Sequence, residues 1–350
     1  MLHVGLDLSR QRVDVHVLDY DGARVLVTRA PADADGLCRL AGRDVFAGQP
    51  VRAAIESMTG ARYVRDVLAG CGWDVLVADA QKVKGLAPLA CKTDKIDARV
   101  LAELSLRDLV PAIWLPPIDV REDRERARFR LHLVKHRGML KRRVHATLMT
   151  FGIPVSESDL FGLAGRERLA GLLAGLELPE PWAGNVAASL RLIDTLDADI
   201  AASERVLRAL GASHPYQPRL MSMPGISWVL GYTIGAEIGD ISRFASPGKL
   251  VGYTGLCPRV YQSGGTDHRG PLTKAGPKYL RWALVEAATH ASQHPAYRAR
   301  YQRTCKRLGR DRGPKVARIE VARDLATAIW YMLTRAEDFA PAGAGSVLAA

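Results

Sequence analysis

Three short runs with strand character crowd into the first 30 positions, at 3–8, 13–18 and 24–28. The links between them are too short for a crossover, so the three must run antiparallel as a meander. After them the pattern alternates. A helix is expected over 33–47, a strand over 51–56, a helix over 61–71, a strand over 74–78 and a short helix over 81–89. Antiparallel hairpins followed by helix–strand alternation is the element order of a ribonuclease-H-like α/β fold, a mixed five-stranded sheet with helices.

Acidic residues stand at awkward places in this plan. Asp7 sits between Leu6 and Leu8 in the first strand, where a charge is costly unless something pairs with it. Glu56 closes the strand 51–56. Asp94 and Asp97 open a helix that runs on through Val100-Leu-Ala-Glu-Leu104, with Thr93 as its N-cap. Read singly, each has a plain explanation, such as a strand end or an acidic first turn that complements the helix dipole. Residues three apart on a helix share a face, however, and two carboxylates there repel unless a cation lies between them. In a ribonuclease-H-like sheet the first and fourth strands are neighbours and a late helix packs beside them, so all four acids converge. Four carboxylates, with no His or Cys, suit hard divalent ions. They are expected to hold Mg²⁺, with Mn²⁺ as a substitute, in a site of the kind where two ions about 3.5–4 Å apart serve phosphodiester chemistry. Lys92, Lys95 and Arg99 flank them and are expected to offset the acids or to grip phosphate.

Beyond Trp114-Leu-Pro-Pro117 the chain turns helical. A basic helix over 120–151 carries Phe129, Leu133, Leu140, Val144 and Leu148 on one stripe, with His136 filling a gap. A second long helix over 184–210 has Val186, Leu190, Ile193, Ile200 and Leu207 on one side. The two are expected to pair as a coiled-coil arm or a dimer interface. Further helices are expected over 228–239, 244–253, from 277, 295–309 and 314–337. His132/His136 and His290/His294 have i, i+4 spacing but lack a His-Glu-x-x-His pattern, so they are read as structural or solvated.

Between Pro258 and Gly270 the chain reads as a loop, with Ser263 set against Gly264-Gly265. Such a serine is usually just a turn residue. It is also what an exposed nucleophile needs, because backbone can approach it closely. Arg259, Arg269, Lys274, Lys278 and Arg281 cluster around it in sequence and would neutralise a phosphate under attack.

Charge agrees with a polyanionic partner. The 350 residues carry 49 Lys and Arg against 37 Asp and Glu, a net charge of +12. Cys38, Cys71, Cys91, Cys257 and Cys305 are scattered without a Cys-x-x-Cys, which argues against a disulfide framework or a zinc knuckle. With a charge at Asp7 and no long apolar run, neither a signal peptide nor a membrane span is expected, and the location expected is the cytoplasm.

These residues resemble a known family. Gly5-Leu-Asp-Leu8, Glu56 with Thr59-Gly60, and Lys92-Thr-Asp-Lys-Ile-Asp-Ala98 are similar to the RuvC-like DEDD domain of IS110-family insertion-sequence transposases. Pro224-Gly225, Lys249-Leu250, Gly255-Leu256, Pro258-Arg259, Gln262-Ser-Gly264, Arg269-Gly270 and Thr273-Lys-Ala-Gly276 resemble that family's C-terminal transposase domain. The resemblance implies a recombinase guided by a structured bridge RNA that pairs with donor and target DNA. It implies Mg²⁺ on the acids matching Asp7, Glu56, Asp94 and Asp97, and a phosphoserine formed at the serine matching Ser263. It further implies dimers held by the long helices, assembling into a tetramer with composite active sites. Met223-Pro-Gly-Ile-Ser227 departs from the family's commoner Pro-Gly-Ile-Gly turn.

The expected organisation is a RuvC-like domain over 1–112, a long-helix dimerisation region over 113–215, a mainly α transposase domain over 216–338 and a loose Ala/Gly-rich tail over 339–350. Two other functions fit the same residues: a junction-resolving endonuclease that uses metal-activated water, and a nucleic-acid-binding protein with an inactive site.

Overall fold

The computed structural model describes residues 1–86, 94–154, 159–174 and 178–340, with the backbone alone for 94–96. The chain divides into two compact units, Met1–Leu115 and Pro116–Ala350.

The first unit is built on the meander. Strands β1 (Leu2–Leu8), β2 (Arg12–Leu18) and β3 (Arg24–Pro31) are followed by helix α1 (Ala34–Ala41), β4 (Val51–Glu56), α2 (Ala61–Gly70), β5 (Asp74–Ala78), α3 (Ala80–Leu86) and α4 (Asp94–Leu106). The sheet order is β3-β2-β1-β4-β5. β1 pairs antiparallel with β2 and parallel with β4, and β5 continues the parallel half. This is the expected mixed five-stranded sheet of the ribonuclease-H-like class.

Strand alternation splits the side chains between two faces. Val4, Leu6, Val13, Val15, Val17, Ala53, Ile55, Val75 and Val77 form one face, buried against Leu37 and Leu40 of α1 and Val64 and Leu68 of α2. The other face is covered by α4, and there Gly5 is decisive. A Cβ at Gly5 would stand 1.7 Å from the Ala98 carbonyl oxygen and 2.5 Å from the Ala102 nitrogen. Only a residue without a side chain lets helix backbone rest on strand backbone this closely. Ala98 and Ala102, both buried, keep the helix side of the contact equally small. The far end of α4 is pinned by Ser105, which hydrogen-bonds the His3 ring at 3.1 Å and donates to the Arg52 carbonyl at 3.3 Å.

The second unit holds α5 (Ile118–Thr150), α6 (Leu163–Ala174), α7 (Trp182–Ala212), α8 (Gln217–Met221), α9 (Trp228–Ile238), α10 (Pro247–Thr254), strands β6 (Pro258–Ser263) and β7 (Thr266–Leu272), α11 (Lys278–Ala291) and α12 (Pro295–Arg335), the last interrupted at Gly309. α5 and α7 pair antiparallel, as their contacts show. Arg130 meets Glu204 and Arg137 meets Asp197, both at 2.5 Å, while Val144 and Leu148 pack with Val186. α5 is also tied to α9. Glu237, fully buried, takes a bidentate bond from Arg128 at 2.7 and 2.9 Å, and Arg124 donates to the Ala236 and Glu237 carbonyls. A buried carboxylate needs this much compensation. The apolar core of this unit lies among α8–α12, centred on Leu220, Ile234, Leu280, Leu284, Val321 and Leu325. Among the described residues no helix is long and apolar enough to cross a membrane.

The Gly5 contact is testable. Gly5→Ala forces β1 and α4 apart and should destabilise the first unit by about 1–3 kcal/mol or more. Urea denaturation of the full chain measures this, and an unchanged first transition would contradict the close docking.

Candidate active site

β1 and β4 run parallel and in register up to Leu6 and Ile55. Asp7 and Glu56 are the next residue of each strand, so they stand side by side at the C-terminal ends of β1 and β4. Alternation puts Asp7 on the face of Gly5 and Glu56 on the face of Ala54. Both are the α4 face, since Ala54 packs with Leu101 and Leu104 of α4. Asp97 directly precedes Ala98, the residue whose carbonyl rests over Gly5. The close contact therefore sets the first turn of α4 beside the strand ends. Asp7, Glu56 and Asp97 are each half-buried.

Asp94 is the first residue of α4, three before Asp97, and its side chain lies outside the described residues. So does that of Lys95, and Lys92 and the expected cap Thr93 lie outside altogether. Arg99 is described, and its guanidinium bonds Glu103 at 2.7 Å. Among the described residues no three His, Cys, Asp or Glu side chains are grouped closely enough to hold a metal. The chemistry of the donor set, carboxylate oxygen throughout, nevertheless fits a hard divalent ion.

A fifth carboxylate escaped the sequence reading. Asp14 of β2 stands directly opposite Asp7 in the antiparallel ladder, hence on the same face. It is buried, at 3% exposure, and both its oxygens are engaged, by Arg12 at 3.0 Å and Arg29 at 2.9 Å. Two guanidiniums thus answer a charge next to Asp7. The signal was the polar phase of Val13-Asp-Val-His-Val17, but which acid it faces depends on the register. His16 lies on the same phase. Burial holds its pKa below the ordinary value, with Arg99 and Arg24 adding to this and Glu103 opposing it.

Ser263 belongs to the second unit. The expected loop is a two-stranded hairpin, β6 pairing antiparallel with β7. Ser263 pairs with Thr266, and Gly264 and Gly265 between them have φ of 56° and 82°. Two successive positive φ values make the primed two-residue turn that hairpins prefer and glycine alone adopts freely. The reading as a loop failed because most of the hairpin is exposed, so no apolar alternation marks it. The serine is the last strand residue before a turn with no side chains of its own, exposed at the tip.

The surrounding cations divide by role. Arg281 donates to the Thr254 and Lys274 carbonyls and clamps the hairpin's base. Arg269 pairs with Asp267 at 3.2 Å. Arg259 lies along the hairpin, Lys274 is exposed at its base, and Lys278 sits 5.1 Å from the centre of the Tyr279 ring.

Comparison with known proteins places both halves. A family profile described as "Transposase" for the DEDD domain of IS110 elements matches residues 4–153. A second, described as "Transposase IS116/IS110/IS902 family", matches residues 217–302. The chain belongs to the IS110/IS116/IS902 family of transposases. Similar proteins include a probable family 20 transposase of Pseudomonas aeruginosa, 27% identical over 97% of this chain and 98% of that protein. The transposase of insertion element IS1328 of Yersinia enterocolitica is 27% identical over 85% of each chain. That of IS1111A of Coxiella burnetii is 24% identical over 96% of this chain and 90% of its own. As an IS110-family transposase the protein is an enzyme of DNA transposition, and its two matched regions coincide with the acid edge and the serine hairpin.

Replacing Gly264 and Gly265 together by alanine should strain the turn by about 1–2 kcal/mol per position. It should reduce transposition strongly while the main melting transition stays put, because the hairpin lies outside the core. Wild-type transposition by this variant would show that the tip geometry is irrelevant.

Proposed function

We propose that this transposase is an RNA-guided DNA recombinase with Ser263 as its nucleophile. The observation that carries the reading is the place of Ser263: exposed, at the tip of a hairpin, next to two glycines that let a DNA backbone come close. The Ser263 Oγ attacks a phosphodiester, its proton passes to a base, and the bond from phosphorus to the leaving deoxyribose oxygen breaks as that oxygen gains a proton. The phosphodiester energy is kept in a phosphoserine. A hydroxyl of another strand then attacks the same phosphorus and releases the serine, which exchanges strands without an external energy source.

Asp7, Glu56, Asp94 and Asp97 would hold Mg²⁺, or Mn²⁺ in its place. Bound there, the ion supplies electrostatic stabilisation to phosphodiester oxygens. The chain's own contribution is to set Asp7 and Glu56 on adjacent strands through the β1–β4 register and to open α4, which carries Asp97, on the same face. The guide is a structured bridge RNA, so that base pairing, not side chains, reads donor and target DNA, by the logic of other RNA-guided systems. The excess of cations supports a role in holding both nucleic acids. Exposed Phe129, Met139 and Leu192 on α5 and α7 support pairing of copies, as dimers that assemble into a tetramer in which acids and serine come from different subunits. The reaction takes place in the cytoplasm.

The test is a denaturing gel of full-length protein with DNA, Mg²⁺ and RNA transcribed from the flanking DNA. Wild type should stay covalently on the DNA. Ser263→Ala should lose the adduct while DNA affinity stays within about twofold, and chelation should abolish adduct and cleavage alike. Strand exchange by Ser263→Ala would refute the nucleophile, and cleavage with no bound protein would point to a water-using endonuclease. Unchanged cleavage in chelator would refute the metal site, and absence of any metal-dependent chemistry would favour a binding protein with an inactive site.

A further inference from the structure

Tyr279, in the first turn of α11, is almost wholly buried, and three cations gather round its ring. The Arg128 guanidinium carbon lies 5.0 Å from the ring centroid, the Lys278 Nζ 5.1 Å and the Lys135 Nζ 5.4 Å. The hydroxyl meets the His132 Nε2 at 3.3 Å. Arg128, His132 and Lys135 come from α5, and Lys278 and Tyr279 from α11, so the cluster is made where two helices pack.

The charges in this cluster are unequally answered. Arg128 is bonded twice by Glu237. Lys135 and Lys278 are exposed, and neither has a carboxylate within ion-pair distance among the described residues. An aromatic face attracts ammonium groups but carries no net charge, so it gathers the two lysines without neutralising them. Two ammoniums held near one ring, with an exposed imidazole bonded to its hydroxyl, leave positive charge that favours an anion.

The seat's place in the chain suggests which anion. Lys278 begins the helix that follows the serine hairpin. The hairpin's root is fixed by the Thr273 amide on the Cys257 carbonyl at 2.8 Å and by Arg281 on Lys274. β7 then runs seven residues from Leu272 back to Thr266, the partner of Ser263. At strand rise this puts the root about 20 Å from the tip, or about six base-pair steps of B-form DNA.

We propose that Lys135, Lys278 and His132, gathered on Tyr279, form a seat for a backbone phosphate of the DNA substrate, several base pairs from the bond that Ser263 attacks. The seat contacts phosphate only, so it fixes the position of the strand along the hairpin and reads no bases. Identifying the polyanion as the DNA substrate rests on the serine-recombinase reading; the anion seat itself does not.

The experiment compares the full chain with a Lys135→Ala/Lys278→Ala variant in binding a labelled DNA duplex and, separately, a labelled RNA hairpin, over a range of KCl. Loss of one or two phosphate contacts should lower the slope of log affinity against log salt by about one to two. DNA affinity should fall about tenfold or more at low salt, with RNA affinity little changed. Amine labelling read by mass spectrometry should show Lys135 and Lys278 of wild type protected by the duplex. Unchanged slope and unprotected lysines would overturn the seat, and an equal or larger loss for RNA would overturn its assignment to DNA. Neither readout needs catalysis. A protein that binds as expected but forms no adduct would leave the seat standing and the serine chemistry refuted.

Discussion

Helix backbone against strand backbone at Gly5 is the contact on which the seating of α4 over the sheet depends. β1 and β4 alone bring only two carboxylates together, Asp7 and Glu56, through their shared register. α4 lies directly on Gly5, with the Ala98 carbonyl over the position a Cβ would fill, so Asp97, one residue earlier, opens the helix on the same face of the sheet. Any side chain there lifts the helix and carries Asp97 away. Ser105, tied to His3 and Arg52, prevents the helix from pivoting about that point. A single missing methyl group thus sets the geometry at the edge of the sheet, and Asp14, clamped by Arg12 and Arg29, adds a compensated charge alongside.

The second unit solves a different problem, which is to anchor an exposed hairpin. The hairpin has little core of its own. Its root is clamped by Arg281 and continued into α11, whose Leu280 and Leu284 are buried in the main core. The Arg128–Glu237 pair joins that core to the long antiparallel helices. The two halves divide the requirements of the proposed phosphoryl transfer: carboxylates in the first unit, a nucleophile and phosphate-binding cations in the second.

Much of this was readable in advance, for identifiable reasons. Asp7 betrayed itself as a charge between two leucines in a strand, and short links forced the meander. The stripes of α5 and α7 marked them as partners. Other features depend on pairing that no local pattern reveals. Asp14 looked like one more polar residue until the β1–β2 register set it opposite Asp7. The hairpin around Ser263 looked like a loop because strand periodicity is visible only when one face is buried. His132, read as structural or solvated, is exposed and has a partner in Tyr279, 147 residues away. Lys92 and Thr93, and the side chains of Asp94 and Lys95, lie outside the described residues.

In the proposed reaction one exposed serine carries the DNA from cleavage to rejoining. The most direct measurement is to trap the protein–DNA adduct, digest the DNA with nuclease and the protein with protease, and locate the residual nucleotide by tandem mass spectrometry. The expected product is a single phosphodiester-linked nucleotide on Ser263. A nucleotide on another residue, or adduct-free protein from a reaction that has exchanged strands, would contradict it.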